Sequence, residues 1–280
     1  MQIVAIVGVG LIGGSFGLAL RKRGFAGRIL GISSPRTLDI AISRGAIDEA
    51  STLLEAAEIA DVIFLAQPVS VILSSIDQLV PVARRECLVT DAGSTKVQIV
   101  AQGAKLPLFV GGHPIAGKER SGIAEADADL FVDRHWILTR SPDDVSLPPL
   151  VSEYLGWLKE CGARPEFLSA SEHDRVLAWT SHLPQLASTA LASALHGQIS
   201  EHQLGIAAGP GLRDFTRLAL SPWQVWRDIL QTNTGNVQHV LSVYIDKLTE
   251  IRDNLQTQRT SEEFTIASEV AEVVRRGLSK

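Results

Sequence analysis

Six residues near the amino terminus, GVGLIG (8–13), restrict what this 280-residue chain can fold into more than any other stretch. The apolar run QIVAIVG (2–8) precedes them and reads as a buried strand. LIGGSFGLALRKRG (11–24) follows and reads as a helix with a basic last turn and a glycine stop. A strand that reverses directly into a helix needs glycines at defined offsets. Gly8 permits the tight turn, Gly10 leaves the backbone open to an approaching pyrophosphate, and Gly13 lets helix and strand pack closely. The free N–H groups at the helix start, at Leu11 and Ile12, add a partial positive charge suited to phosphate.

The same pattern continues. RILGIS (28–33), DVIFLA (61–66), CLVTDA (87–92), PLFVGG (107–112) and HWILT (135–139) are apolar strand candidates, with helical patterns at 35–45, 69–79 and 95–101 between them. Continuous apolar strands alternating with helices predict a parallel sheet covered on both faces. The uncharged run 3–20 could be mistaken for a membrane span or a signal peptide. Its basic residues (Arg21, Lys22, Arg23) follow rather than precede it, and five glycines interrupt it, so strand, turn and helix explain it better. With no targeting segment apparent, the expected location is the cytoplasm. Net charge is −5 and neither half carries a basic block, which argues against nucleic acid as a partner; no membrane partner is expected either. Cys87 and Cys161 lack metal-ligand spacing, no metal is expected, and both read as buried free thiols.

Where a dinucleotide domain commonly places an acid for the ribose 2′-hydroxyl, this chain has Ser33 and Ser34, with Arg36 just beyond. No carboxylate would repel a 2′-phosphate and a guanidinium could pair with one, so the reading favours NADP over NAD. A solvated arginine in a first helical turn is the plainer account of Arg36. Gln67 and Pro68, after the 61–66 strand, complete the expected cofactor edge.

From about 150 the pattern turns helical. The expected division is a dinucleotide-binding domain over 1–150 and a helical domain over 151–280. A linking helix leads to a short strand (ARPEFLS). A long helix follows at 171–195, capped by Ser171 with Asp174 and kinked at Pro184. Helices at 221–231 and from 234 to about 258 come next, and Thr260 with Glu263 caps a last one. Apolar stripes on the last helices suggest burial against a second copy, giving a homodimer, with packing inside the chain as the competitor.

Three polar clusters lie at element ends: TDAGSTK with Asp91, Ser94 and Lys96; GGHPIAGKE with His113; and GLRDFTRLALSPWQVW with Arg213, Asp214, Arg217, Ser221 and Trp226. The first two follow strands, on the edge where open α/β sheets bind ligands. Each has a plain reading alone: Ser94 as a helix cap, His113 as a turn residue beside proline, Arg217 as a surface partner of Asp214. Taken together, GVGLIGGS, VTDAGSTK, GGHPIAGKE, SHLP and RDFTRLALSPWQVW resemble the prephenate and arogenate dehydrogenases of tyrosine biosynthesis, in that family's order across 8–226.

The resemblance implies an α/β fold, a Rossmann-type doubly wound, mostly parallel sheet followed by an all-helical dimerisation domain. It implies oxidative decarboxylation of a cyclohexadienol with NAD(P) as acceptor. His113 would take the hydroxyl proton, helped by Ser94, and Arg217 would grip the ring carboxylate, with His182 and Trp226 lining the cavity. Many members carry a second histidine after SHLP; here it is Gln185, a neutral donor and acceptor. A neutral side chain repels an ammonium less than a protonated histidine does, which tilts the expectation from prephenate toward arogenate. A β-hydroxyacid dehydrogenase or imine reductase would place its acid or base on a second-domain helix, unlike His113. A non-catalytic dinucleotide sensor would be expected to have lost one of Ser94, His113 and Arg217. No regulatory module is apparent, so feedback by tyrosine is expected to act by competition at the active site.

Overall fold

The structure, a computed structural model, describes residues 1–118, 120–139 and 147–278; Glu119, which ends the GGHPIAGKE motif, lies outside them. Two compact units divide the chain, Met1–Thr234 and Gly235–Lys280.

The first unit is built on an eight-stranded sheet. Its strands are β1 (Ile3–Val7), β2 (Arg28–Ile32), β3 (Glu49–Ala50), β4 (Val62–Leu65), β5 (Leu88–Asp91), β6 (Phe109–Pro114), β7 (His135–Thr139) and β8 (Arg164–Leu168). They run in the order β3-β2-β1-β4-β5-β6-β7-β8. Every neighbouring pair is parallel except β6–β7, where Gly112 opposes Leu138 and His113 opposes Ile137. Chain order reverses between β1 and β4, so the crevice beyond the carboxyl end of β1 is the topological switch point.

Alternation along the strands explains the two layers of helices. Val4, Ile6, Val62 and Phe64 face one core, with Phe16, Ala19 and Leu20 of α1 (Leu11–Lys22), Ala41 of α2 (Pro35–Ser43) and Tyr154 and Leu158 of α6 (Pro149–Glu160). Ala5, Val7, Ile63 and Leu65 point the other way, onto Ala56 of α3 (Leu53–Ile59), Ile72 and Ile76 of α4 (Val69–Leu79) and Ile99 of α5 (Val97–Gly103). A side-chain period of two puts successive apolar residues on opposite faces. Strands apolar at every position therefore have to be covered twice. Phe16 sits within 4.7 Å of Phe64 and 5.8 Å of Trp136, ring centre to ring centre, and all three are fully buried. Each such ring contributes roughly 1.5–3 kcal/mol by leaving water. Both cysteines are buried thiols, and burial raises Cys87 to about 11 and Cys161 to about 12.

Past the sheet come α7 (Ala170–Leu177), α8 (Leu183–Ala194), α9 (Glu201–Ala207), α10 (Pro210–Thr216) and α11 (Trp223–Thr232). Three local expectations change. The cap of α7 is Ser169, whose hydroxyl accepts from Glu172 N; Ser171 with Asp174 forms no capping box, because Asp174 turns inward. Between α7 and α8, Ala178–His182 forms a π-helical turn just before Pro184. Proline has no N–H for the carbonyl one turn back, so the helix takes up the mismatch as a wide turn. His113 does not lie on a turn. It is the fifth residue of β6, and Ile115 N donates to His135 O at 2.8 Å to extend the pairing past Pro114.

In the second unit, α12 (Thr234–Asp253) and α13 (Gln258–Leu278) are joined by Lys247, whose ammonium meets Glu250 at 2.9 Å and Glu263 at 2.8 Å. Helix α13 thus starts two residues before Thr260, and Glu263 pairs with Lys247 rather than capping. Phe264, Ile266, Val270, Val273 and Val274 of α13 are all exposed. No helix among the described residues is long and apolar enough to cross a membrane.

Candidate active site

At the switch point the glycine turn is shaped from both sides. Gly8 has φ +92°, and a Cβ there would lie 2.5 Å from the carbonyl oxygen of Ala66. A Cβ on Gly13 would lie 2.3 Å from Gly8 O, whereas one on Gly10 would meet nothing within 4 Å. Gly8 and Gly13 close the turn, and Gly10 faces open space. Helix α1 begins there with no side-chain cap and no acid in its first turn. Leu11 and Ile12 thus open a helix whose end is free to take an anion, and the cradle fits a dinucleotide pyrophosphate. Ser33, Ser34 and Arg36 are exposed beyond β2, with Ser34 Oγ 2.9 Å from Thr37 Oγ1. Gln67 accepts from Ser75 Oγ at 2.9 Å, and Pro68 is the residue before α4.

Three strands across from β1, His113 enters a largely buried polar chain. Its Nδ1 lies 2.9 Å from His173 Nε2, and His173 Nδ1 lies 2.8 Å from Asp174 Oδ1. Asp174 also accepts from Lys96 N at 2.7 Å and Val97 N at 2.9 Å. A carboxylate from α7 therefore caps α5, and Ser94, two residues before Lys96, does not. The Lys96 ammonium is fully buried; it pairs with Asp91 and donates to Gly112 O at 2.7 Å. Gly112 packs so close to β5 that a Cβ on it would sit 2.5 Å from Asp91 O. On the far side, Asn233 Nδ2 donates to Asp174 O at 2.8 Å and meets His182 Nδ1 at 3.2 Å. His182 then stands edge-on to Trp226, ring centres 6.0 Å apart. His113, His182 and Trp226 are thus ends of one connected set.

Arg217 belongs to a second set. It begins a 3-10 turn, Arg217–Leu220, that α8 holds at two points: Gln185 Nε2 donates to Leu218 O at 2.9 Å and Ala219 N donates to Ser188 Oγ at 3.0 Å. A carbonyl can only accept, so the Gln185 amide nitrogen must face Leu218. That leaves Gln185 Oε1 buried without a hydrogen-bond partner among the described residues. Arg217 lines a cavity of about 550 Å³ with Gly117, Lys118, Leu218, Leu220 and Ser221, so its opposite wall is the segment just past β6. His182 and Gln185, three residues apart where the π turn passes into α8, join the two sets through one helix.

Burial holds the His113 imidazole well below the usual histidine range, with the neighbouring His173, Lys96 and His182 adding to the effect. Burial also lowers His173 against the opposing hydrogen bond that it donates to Asp174, and lowers His182 to about 4. All three rings are neutral at pH 7. The unfolded chain takes up protons near pH 6.5 while these folded rings resist them, so stability is lost as pH falls below about 6.5. His182 alone accounts for about 2 kcal/mol by pH 5. Thermal unfolding should show a clearly lower Tm at pH 5 than at pH 7, and a smaller drop for His182→Gln. An unchanged wild-type Tm would show that the rings are solvated.

Comparison with known proteins identifies the framework. The nucleotide-binding domain of prephenate dehydrogenase matches residues 16–166, and the dimerization domain of prephenate dehydrogenase matches residues 169–267. The chain belongs to the prephenate dehydrogenase family. A prephenate dehydrogenase of Lactococcus lactis is 36% identical over 242 residues, which cover 83% of this chain and 65% of that enzyme's length. A crystal structure of the Aquifex aeolicus prephenate dehydrogenase with hydroxyphenyl propionate and NAD+ superposes with a TM-score of 0.87 at 31% identity, covering 99% of this chain and 98% of that one. Arogenate dehydrogenase of Synechocystis superposes at 0.80 with 28% identity, covering 98% and 99%.

In this prephenate dehydrogenase framework, the residues that the sequence reading did not place in the site are His173, Asp174 and Asn233, Asp174 having been read only as a helix cap. A signal for the first two exists: carried back one turn, the apolar stripe of Leu177 and Ala178 lands on His173 and Asp174, both buried. Polar residues on the buried face of a helix need partners, and here the partners are the putting-in-place groups of the sheet edge.

Proposed function

We propose that the chain is an NAD(P)-dependent dehydrogenase that oxidatively decarboxylates a cyclohexadienol to a phenol, acting as a homodimer. Bound NAD(P) supplies the hydride acceptor. His113 takes the proton of the ring hydroxyl as the carbonyl forms, and Ser94 orients that hydroxyl. Arg217 holds the ring carboxylate until carbon dioxide departs and the ring becomes aromatic. His182 and Trp226 line the cavity. The single observation carrying this reading is the position of the half-buried His113, whose imidazole is held well below the usual histidine range, on the strand that leads into the Arg217-lined cavity. A depressed pKa keeps the imidazole unprotonated across the physiological range, as a proton acceptor requires.

Arogenate is favoured over prephenate. The two differ in one arm, an ammonium against a keto group, and the unpartnered Gln185 Oε1 is an acceptor suited to an ammonium donor. NADP is favoured over NAD because Ser33, Ser34 and Arg36 present no carboxylate beside the expected 2′-phosphate and one guanidinium. The homodimer rests on the matched dimerization domain and the exposed apolar residues of α13. A spectrophotometric assay crossing arogenate and prephenate with NADP and NAD tests the whole reading. The highest kcat/KM is expected for arogenate with NADP. Turnover on prephenate alone would refute the substrate assignment, and no turnover on either would refute the activity.

A further inference from the structure

We propose that His173 and Asp174 are positioning residues that fix which nitrogen of His113 carries the proton, so that Nε2 is left bare to act as the base. The inference rests on His113 being that base. It starts from the donors around Asp174. Lys96 N and Val97 N can only donate, and they approach the carboxyl group at 2.7 and 2.9 Å, one on each oxygen. A carboxyl group receiving backbone N–H on both oxygens acts as an acceptor. The ring nitrogen facing Oδ1 at 2.8 Å, His173 Nδ1, must therefore donate. A neutral imidazole carries one N–H, so His173 Nε2 is a lone pair. Facing it at 2.9 Å is His113 Nδ1, which must donate in turn. His113 then carries its proton on Nδ1 and its lone pair on Nε2.

Each link is enforced by a desolvated site. His173 and Asp174 are buried almost completely, and neither can trade its partner for water without moving α7. Protonating His173 would place a second N–H on its Nε2 against the His113 Nδ1–H across the 2.9 Å contact, so His173 stays neutral, whereas a proton taken up at His113 Nε2 leaves the contact intact. The Lys96 ammonium and the His182 ring oppose a charge on His113 itself. Asp174 has a second consequence. By holding Lys96 N and Val97 N it anchors the segment that carries Ser94, so one carboxylate sets both the ring orientation of His113 and the position of the residue expected to share its substrate hydroxyl.

Nitrogen-15 NMR of histidine-labelled protein without substrate reads the tautomer directly. The His113 signals are those lost in His113→Asn. In the wild type at neutral pH, His113 is expected to be protonated on Nδ1 and bare on Nε2. Replacing the acceptor, in His173→Phe, should move the proton to Nε2 and lower kcat by about 10²–10⁴-fold with cofactor affinity unchanged. Asp174→Ala should act in the same direction, since it removes the acceptor that holds the proton on His173 Nδ1. A wild-type His113 protonated on Nε2, or a tautomer unchanged in His173→Phe, would overturn the proposal. If His173→Phe does not fold, the wild-type spectrum alone decides. The test is separate from the base assignment: His113→Asn with normal turnover would remove the base, whereas the wrong tautomer with an inactive His113→Asn would remove only the relay.

Discussion

His113→Asn is expected to lower kcat by about 10²–10⁴-fold, the usual worth of a positioned general base, while the dissociation constant for the cofactor stays within a few-fold of wild type. The reason lies in the layout. The glycine cradle is the β1–α1 turn, and His113 is on β6, three strands across the sheet. Asparagine fills the position without accepting a proton. Its amide can still meet His173 Nε2, so the strand and its partner should stay in place. Steady-state kinetics beside cofactor titration checks both halves. Near-normal turnover would remove the imidazole from the reaction.

Arg217→Ala should act on the other side of the ledger, raising KM for the dienol far more than it lowers kcat. Arg217 is exposed in the structure, so losing its hydrogen-bonded contact to the carboxylate costs about 1.5–3 kcal/mol, which corresponds to a KM increase of roughly 10-fold to 150-fold. The turn that carries Arg217 is pinned through its backbone, by Gln185 to Leu218 O and by Ser188 to Ala219 N, so it should keep its shape when the side chain is cut back. Arg217→Lys should recover only part of the loss, because an ammonium cannot reproduce the two-pronged contact of a guanidinium with a carboxylate. A variant with unchanged KM and normal turnover would take Arg217 out of the substrate site. The drop in kcat for the histidine variant and the rise in KM for the arginine variant together separate proton transfer from substrate grip.

The sequence by itself determined the doubly wound sheet and the glycine turn at its switch point, because those depend on local signals. Unbroken apolar strands demand cover on both faces, and a strand that reverses into a helix at GVGLIG demands glycine at 8 and 13. Local rules also explain the misplaced details. Ser171 and Asp174 have capping-box spacing, and nothing within four residues reveals that Asp174 is claimed by α5. Only the tertiary structure decided what His113 touches, how Gln185 is used and which segment faces Arg217. His113 and His173 are 60 residues apart, Lys96 and Asp174 are 78 apart, and Gln185 reaches Leu218 across 33. Contacts at such separations form because burial leaves a polar group no alternative to a partner brought in by another element. That requirement acts on positions in space, and a single sequence does not record them.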